Sequence, residues 1–379
     1  MKFNKINWKI DIELFLINSS PYLICAFLVI AVSNSLTHVD RWVLLEQIAM
    51  ADNYINNGNF YPEINKHIPT GVSAYFPGVA ILAAFFRKIS IDYYLVELML
   101  IISLLILFFF IYLQTKIINM ITSHKYDFYE IIPSVIFFLF FLCPDYYFYA
   151  IEFKPDTISF LLGYIGIFYL LRSNKKINYN SIIGILFLGS AILFKQQYVS
   201  LLLGLSLFSI VKYEKKRTLF VFCSIIVSSS IIWYLYFLES PWYWNVKVLS
   251  DDGWRNIFSV IDNDLYKTGI NLFQLIIIII LFLDKNKITE LLDKIKNGKL
   301  KLFLNNPWIY ITVIAALTAF LSALKVGGNI GNIQFGLFLF FPIFFLLINT
   351  APRYKLIALA WFVLIPEFKT LLNYEHYLK

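Results

Sequence analysis

Long apolar runs recur through this chain of 379 residues, from residue 18 to residue 371, with short polar breaks between them. In a soluble domain every such run would need burial, and too few polar residues remain to cover the surface. The composition agrees, since 59% of the residues are hydrophobic and 15% are charged, against about 25% charged in an average soluble domain. The pattern predicts an all-α polytopic membrane protein.

A membrane span needs about 20 apolar residues to cross roughly 30 Å of hydrocarbon. On this basis the sequence predicts one transmembrane domain, residues 1–379, with about 11 or 12 spans. The candidate runs are 18–36, 91–113, 131–149, 157–171, 180–194, 197–211, 218–238, 268–283, 307–324, 333–349 and 354–371. The stretch Pro77–Ile89 (77–89) is too short to cross, because its 13 residues reach about 20 Å as a helix.

Lysine and arginine are concentrated in one set of the predicted loops. The N-terminus and segments 114–130, 172–179, 212–217, 284–306 and 350–355 hold 20 of the 32 Lys and Arg but 8 of the 24 Asp and Glu. Basic residues favour the cytoplasmic side, so these loops are predicted to be cytoplasmic. The spans alternate consistently only if one segment between residues 37 and 155 enters the membrane and returns. Because 77–89 is too short to cross the membrane, we predict that it is this segment, a short helix that dips into the membrane and returns to the same side.

Two longer loops then share the outer face, residues 37–76 and 239–267. Within the first, Trp42–Ile55 is predicted to form an amphipathic helix along the membrane interface. Its alternating residues are the apolar Val43, Ile48 and Met50 and the polar Glu46, Gln47, Asp52 and Asn53. The second loop is rich in Trp and Tyr, which is typical of an interfacial aromatic belt.

Charged residues on the predicted outer face are candidates for a functional site. Lys154, Lys195 and Lys325 each begin or end a span there, together with the carboxylates Asp40 and Asp156. A single lysine at a span end is equally explained by snorkelling to lipid headgroups. Several outward lysines together run against the positive-inside rule, and cations at membrane depth usually face a cavity and pair with an anion. A lipid phosphate is the natural partner.

The order of these segments resembles the integral-membrane GT-C glycosyltransferases, especially the bacterial branch related to protein mannosyltransferases and aminoarabinose transferases. The resemblance extends over nearly the whole chain. It is carried by Asp40, the amphipathic helix, Gly58-x-x-Tyr61-Pro62, Tyr75-Phe76-Pro77, Lys154-Pro155-Asp156, Lys195-Gln196 and Lys325-x-Gly327-Gly328-Asn329. Two motifs depart from the family, which often has Asp-Glu in place of Asp40-Arg41 and Tyr-Pro-Pro in place of Tyr75-Phe76-Pro77.

The resemblance implies a GT-C-like architecture in a bacterial plasma membrane, with a cytoplasmic N-terminus and an active site on the outer face. It implies a polyprenyl-phosphate-linked sugar as donor and a hydroxyl of a surface glycan, lipid-linked saccharide or protein as acceptor. Asp40 matches the family's catalytic base. The positions implied for donor phosphate and substrate are Lys154, Asp156, Lys195, Gln196, Lys325 and Asn329. No metal site and no cofactor beyond the lipid-linked donor are expected, and a divalent-metal requirement stays open.

The chemistry of such a transfer suits these residue types. A carboxylate is needed to deprotonate the acceptor hydroxyl, and cations are needed to hold the leaving phosphate as negative charge develops. We expect Asp40 to be the base and Lys195 and Lys325 to clamp the phosphate. Asp156 either orients a lysine or binds a sugar hydroxyl, and the second carboxylate is either Glu46 or Asp156. The chain has no nucleotide-binding signature, and no nucleic-acid partner is expected.

Two other classes of membrane protein would meet the same lipid carrier, a polysaccharide polymerase and a lipid-linked oligosaccharide flippase. A flippase should place charges within many spans to build a polar path, whereas the predicted spans after residue 157 are almost free of internal charge. A polymerase would show a long outer loop with several arginines, and 239–267 has only Arg255. The donor sugar, the acceptor, the stereochemical outcome and the oligomeric state stay open.

Overall fold

The computed structural model shows an all-helical architecture in the residues it describes. The described residues are 8–37, 42–60, 78–89, 95–122, 125–142, 155–173, 177–212, 305–324 and 351–377, together with 214, 221, 222, 224, 225, 289, 293, 336 and 339–345. Their helices are α1 (Trp8–Asn18), α2 (Ser20–Thr37), α3 (Trp42–Asn57), α4 (Gly78–Lys88), α5 (Leu95–Ile121), α6 (Phe128–Leu142), α7 (Pro155–Arg172), α8 (Tyr179–Phe194), a 3₁₀ turn (Gln196–Tyr198), α9 (Val199–Val211), α10 (Pro307–Leu324) and α11 (Arg353–Tyr377). The predicted helical class is confirmed for this part of the chain.

Helices α7 and α8 form a closely packed antiparallel hairpin. A Cβ atom on Gly166 of α7 would lie 2.7 Å from the carbonyl oxygen of Gly184 on α8, and one on Gly184 would lie 2.8 Å from the oxygen of Gly166. Small residues of this kind let two helix backbones approach closely. The hairpin therefore brings the first residues of α7 and the last residues of α8 to the same end of the bundle.

A small apolar cluster gathers at that end, and we call it the α4 cluster. Its buried members come from α3, α4, α5 and α7: Ile48, Ala51, Val79, Ala83, Ala84, Met99 and Ile158. Met99 lies in the second turn of α5, so the start of α5 lies at this end together with α3 and α4. Helix α4 thus does not carry the chain to the opposite end of the bundle.

The length of α4 agrees with this placement. Its 11 residues reach about 16 Å at 1.5 Å per residue, well short of the hydrocarbon thickness of roughly 30 Å. Arg87 and Lys88 occupy its last turn, where positive charge complements the helix dipole. The short helix predicted over 77–89 is present, as is the predicted helix of the first outer loop.

The remaining helices pack around a larger apolar core, called here the main core. It takes buried side chains from every helix from α2 to α11, with Met50 from α3 and Ala80 from α4. Lys212, just after α9, donates a hydrogen bond to the Asn305 side chain just before α10, so these two helices are antiparallel. Trp361 of α11 donates its indole N–H to the Ser19 hydroxyl at 2.9 Å, which joins the last helix to the junction of α1 and α2.

Several described helices have the composition of membrane spans. Ile101–Ile121 and Pro307–Leu324 are long and apolar enough to cross a bilayer, and the bent pair Ile12–Asn18 with Ser20–Ala31, at 47°, makes a third candidate. Shorter apolar helices cover Phe128–Leu139, Ile158–Arg172, Tyr179–Phe194 and Val199–Val211. The described part of the chain thus supports a helical membrane protein with two or three full-length spans. The predicted spans over 268–283 and most of 218–238 lie outside the described residues.

Candidate functional site

Helices α3 and α4 are held together as a hairpin at one end of the bundle. Arg87 of α4 donates from Nη2 to Oδ2 of Asp52 on α3 at 3.0 Å, and its Nε lies 2.7 Å from Oδ1 of the same carboxylate. The Lys88 ammonium lies 5.6 Å from the centre of the Tyr54 ring, which stacks on Phe60 at 4.2 Å. These contacts fix the orientation of α4 against α3.

The first residue of α4 contacts the end of α8. A Cβ atom on Gly78 would lie 2.6 Å from the Phe194 ring, so the glycine is needed for this close approach. Phe194 is the last residue of α8 and packs against the α4 cluster. The α3–α4 hairpin consequently lies directly beside the turn that follows, Lys195 and the 3₁₀ residues Gln196–Tyr198.

Lys195 occupies this turn and is buried, with 7% of its surface exposed. Its backbone is extended, with φ −150° and ψ 119°, and its N–H donates to the Ala191 carbonyl at 3.1 Å. Its own carbonyl accepts from the Tyr198 N–H at 3.2 Å. The backbone on both sides of the lysine is therefore fixed. A lysine that snorkelled to headgroups would expose its ammonium group, and the burial of Lys195 argues against that explanation.

Buried polar side chains follow the boundary between the α4 cluster and the main core. Three of them lie along the sequence between a residue of one cluster and a residue of the other: Ser103 between Ile102 and Leu104, Ser159 between Ile158 and Phe160, and Lys195 between Phe194 and Tyr198. The fourth, Gln47, lies one helical turn before Met50 of the main core and Ala51 of the α4 cluster. We call Gln47, Ser103, Ser159 and Lys195 the polar seam. Their helices α3, α5 and α7 and the α8–α9 turn all meet at the end that carries α4.

The structure describes three of the predicted site residues. Lys195 and Gln196 lie in the α8–α9 turn, and Asp156 lies in the first turn of α7. The antiparallel α7–α8 hairpin brings these three backbone positions to one end of the bundle. Asp40, Lys154, Lys325 and Asn329 lie outside the described residues. Lys325 directly follows α10 in sequence, and Asp40 precedes α3 by two residues.

Gln47 is a candidate residue that the sequence did not single out. The alternation in Trp42–Ile55 grouped it with the polar side of an amphipathic helix, but the structure buries it completely, at 0% exposure. The difference arises because α3 is covered on two sides, by the main core at Met50 and by the α4 cluster at Ile48 and Ala51. No sequence signal distinguishes Gln47 from the partly exposed polar residues Glu46, Asp52 and Asn53, since its burial depends on packing between distant segments.

No metal centre is found in the described residues. In that part of the chain, no three His, Cys, Asp or Glu side chains lie close enough together to hold a metal ion. Comparison with known proteins found no family model, no curated protein and no solved structure that matches this chain. Within the described residues, the polar seam offers one lysine, one carboxamide and two hydroxyl groups.

Proposed function

We propose that this protein is a membrane glycosyltransferase of GT-C type, which transfers a sugar from a polyprenyl-phosphate donor to an acceptor hydroxyl. The observation that carries the proposal is the burial of Lys195 in the polar seam beside the α3–α4 hairpin. Ionisable groups buried in helical membrane proteins are rare and commonly mark substrate sites. The distribution of basic loops assigns the site to the outer face of the membrane, and the resemblance to GT-C enzymes implies that this is a bacterial plasma membrane.

The roles follow from the charge changes during transfer. When the bond between the anomeric carbon and the phosphate oxygen breaks, negative charge grows on the polyprenyl phosphate. A lysine fixed in a site of low dielectric stabilises that charge more strongly than one in water. Lys195 is assigned this role together with Lys325, and Asp40, just before α3, is assigned as the base for the acceptor hydroxyl. Lys154, Asp156, Gln196 and Asn329 complete the proposed substrate site.

The charge distribution of the described helices favours a transferase over a flippase. Helices α8, α9 and α10 contain no Asp, Glu, Lys or Arg. A flippase needs a polar path through its bundle for an oligosaccharide headgroup, and these three helices do not offer charged groups for one. The buried lysine at one end of the bundle instead fits a headgroup that is bound near one membrane surface.

The proposal is tested by following the release of polyprenyl phosphate from polyprenyl-phosphate hexoses by the purified protein in lipid, with membrane glycolipids as acceptors. Asp40→Asn is expected to abolish release. Lys195→Met, which keeps the length of the side chain, is expected to lower kcat/KM by roughly 10- to 150-fold, because a hydrogen bond to a charged group contributes about 1.5–3 kcal/mol. Lys325→Ala is expected to weaken donor use more than acceptor use.

Lys125→Met is the matched control, because Lys125 is exposed and lies in the loop between α5 and α6, at the opposite end of the bundle. It is expected to retain wild-type turnover. A folded wild-type protein that releases nothing across several donor sugars would contradict the proposal and favour the polymerase or flippase alternatives. Equal activity of Lys195→Met and Lys125→Met would remove Lys195 from the site.

A further inference from the structure

Gln47 combines complete burial with an unsatisfied amide. Its Nε2 and Oε1 atoms are both inaccessible to solvent, and neither has a hydrogen-bond partner among the described residues. Buried polar atoms in native proteins are nearly always paired, and leaving one unpaired is unfavourable. An amide that is buried and unpaired at a substrate-binding end of a protein is well suited to pair with the substrate.

The position of Gln47 distinguishes it from a second unpaired amide. Gln114 of α5 is also at 0% exposure, and its amide atoms likewise have no hydrogen-bond partner in the described part of the chain. Gln114 lies between Leu113 and Ile117, which both belong to the main core. Gln47 lies on the polar seam, as does Lys195. The two glutamines are therefore chemically equivalent but differ in their relation to the proposed site.

The hydrogen-bonding groups of the Gln47 amide indicate which part of the proposed donor it can bind. A carboxamide offers a hydrogen-bond donor and an acceptor side by side. A phosphate only accepts and would leave Oε1 unpaired, and a polyprenyl chain pairs with neither atom. Two neighbouring sugar hydroxyls can accept from Nε2 and donate to Oε1 at the same time. The sugar ring is therefore the part that satisfies the whole side chain.

We infer that Gln47 is a specificity-determining residue that binds a pair of hydroxyls on the sugar of the lipid-linked donor, while Lys195 binds its phosphate. This inference rests on the proposed function and adds to it a residue that binds the sugar. A site built to hydrogen-bond a substrate hydroxyl discriminates strongly against ligands that lack it. Gln47 should accordingly contribute to the preference for a glycosylated lipid over the bare lipid phosphate.

The test measures binding of two probes to the full-length protein in lipid nanodiscs, polyprenyl phosphate and a panel of polyprenyl-phosphate hexoses. The wild type is expected to bind at least one hexosyl probe more tightly than the bare phosphate. Gln47→Leu is expected to reduce that preference roughly tenfold, with unchanged affinity for the bare phosphate. Gln114→Leu is the matched control and should retain the preference. If Gln47→Leu does not give folded protein, Gln47→Met is measured instead.

The outcomes separate this inference from the proposed function. Retention of the full preference by Gln47→Leu, or a wild type that binds bare and hexosyl probes equally, would overturn the role of Gln47 and leave phosphate binding by the site intact. Such a result would make Gln47 a structural residue whose amide pairs with buried water. A folded wild type that binds neither kind of probe would overturn the proposed function and this inference together.

Discussion

Substituting Gly166 by alanine tests whether the close α7–α8 contact holds the candidate site together. This hairpin places Ser159 and Lys195 at the same end of the bundle, so its spacing sets the geometry of the polar seam. An added Cβ atom would lie 2.7 Å from the carbonyl oxygen of Gly184 and 2.6 Å from Cγ of Leu188. Ordinary contact begins at 3.4 Å, so the two helices must separate by several tenths of an ångström.

The magnitude follows from two opposing effects. Overpacking of a close contact costs typically about 1–3 kcal/mol, and a backbone carbonyl cannot rotate away as a side chain can. Alanine recovers up to about 1 kcal/mol through its higher helix propensity. We therefore expect Gly166→Ala to lower the free energy of unfolding by about 1–2 kcal/mol, and to lower affinity for a lipid-linked donor as the seam opens.

The assay is unfolding by titration with a denaturing detergent in mixed micelles, followed by tryptophan fluorescence. Gly163→Ala is the matched control on the same helix, because its added Cβ atom would meet side chains, Leu201 Cδ1 at 2.9 Å and Tyr198 Cδ1 at 3.1 Å. Those side chains can shift, so this variant should be close to the wild type in stability. If Gly166→Ala proves at least as stable as Gly163→Ala, the backbones of α7 and α8 do not approach each other as closely at Gly166 and Gly184 as described here.

Three further experiments test other contacts by the same unfolding assay. Trp308→Phe should lower the free energy of unfolding by about 1–3 kcal/mol, because the buried indole N–H donates to the Leu339 carbonyl at 2.7 Å. An unchanged detergent concentration at the midpoint of unfolding would refute that hydrogen bond. Asn178→Ala removes the capping box of α8 and should cost about 0.5–2 kcal/mol, while no loss would show that the cap is not formed. In a double-mutant cycle, Asp52→Asn and Arg87→Gln should show a coupling free energy of about 0.2–1 kcal/mol, as partly exposed ion pairs do. A coupling free energy of zero would show that these two side chains do not form an ion pair.

Much of the helical arrangement could be predicted from the sequence, because long apolar runs have few ways to satisfy their backbone in lipid other than as helices. The run predicted at 307–324 has the bounds of α10, and the short stretch at 77–89 could be recognised from its length alone. Helix ends were less predictable. Helix α5 continues to Ile121, past the predicted end at residue 113, because its last two turns remain packed on the main core at Ile117 and Ile118.

The candidate site was predictable in part, for a physical reason. Lys195 could be identified because a lysine among apolar runs is costly and therefore conspicuous. Gln47, Ser103 and Ser159 could not, since polar residues of this kind are common on exposed helix faces and their burial depends on contacts between separate helices. The polar seam is a property of how α3 and α4 pack against α5, α7 and α8, and no local pattern encodes it.

The most direct test of the central claim is the structure of the protein with a bound polyprenyl-phosphate hexose, determined by electron cryo-microscopy in a nanodisc with an antibody fragment. We expect the phosphate to lie within about 4 Å of Lys195 Nζ, the usual limit for an ion pair, with the sugar ring against Gln47. An ordered donor bound elsewhere on the protein, with Lys195 still enclosed by protein atoms, would contradict the assignment of this site.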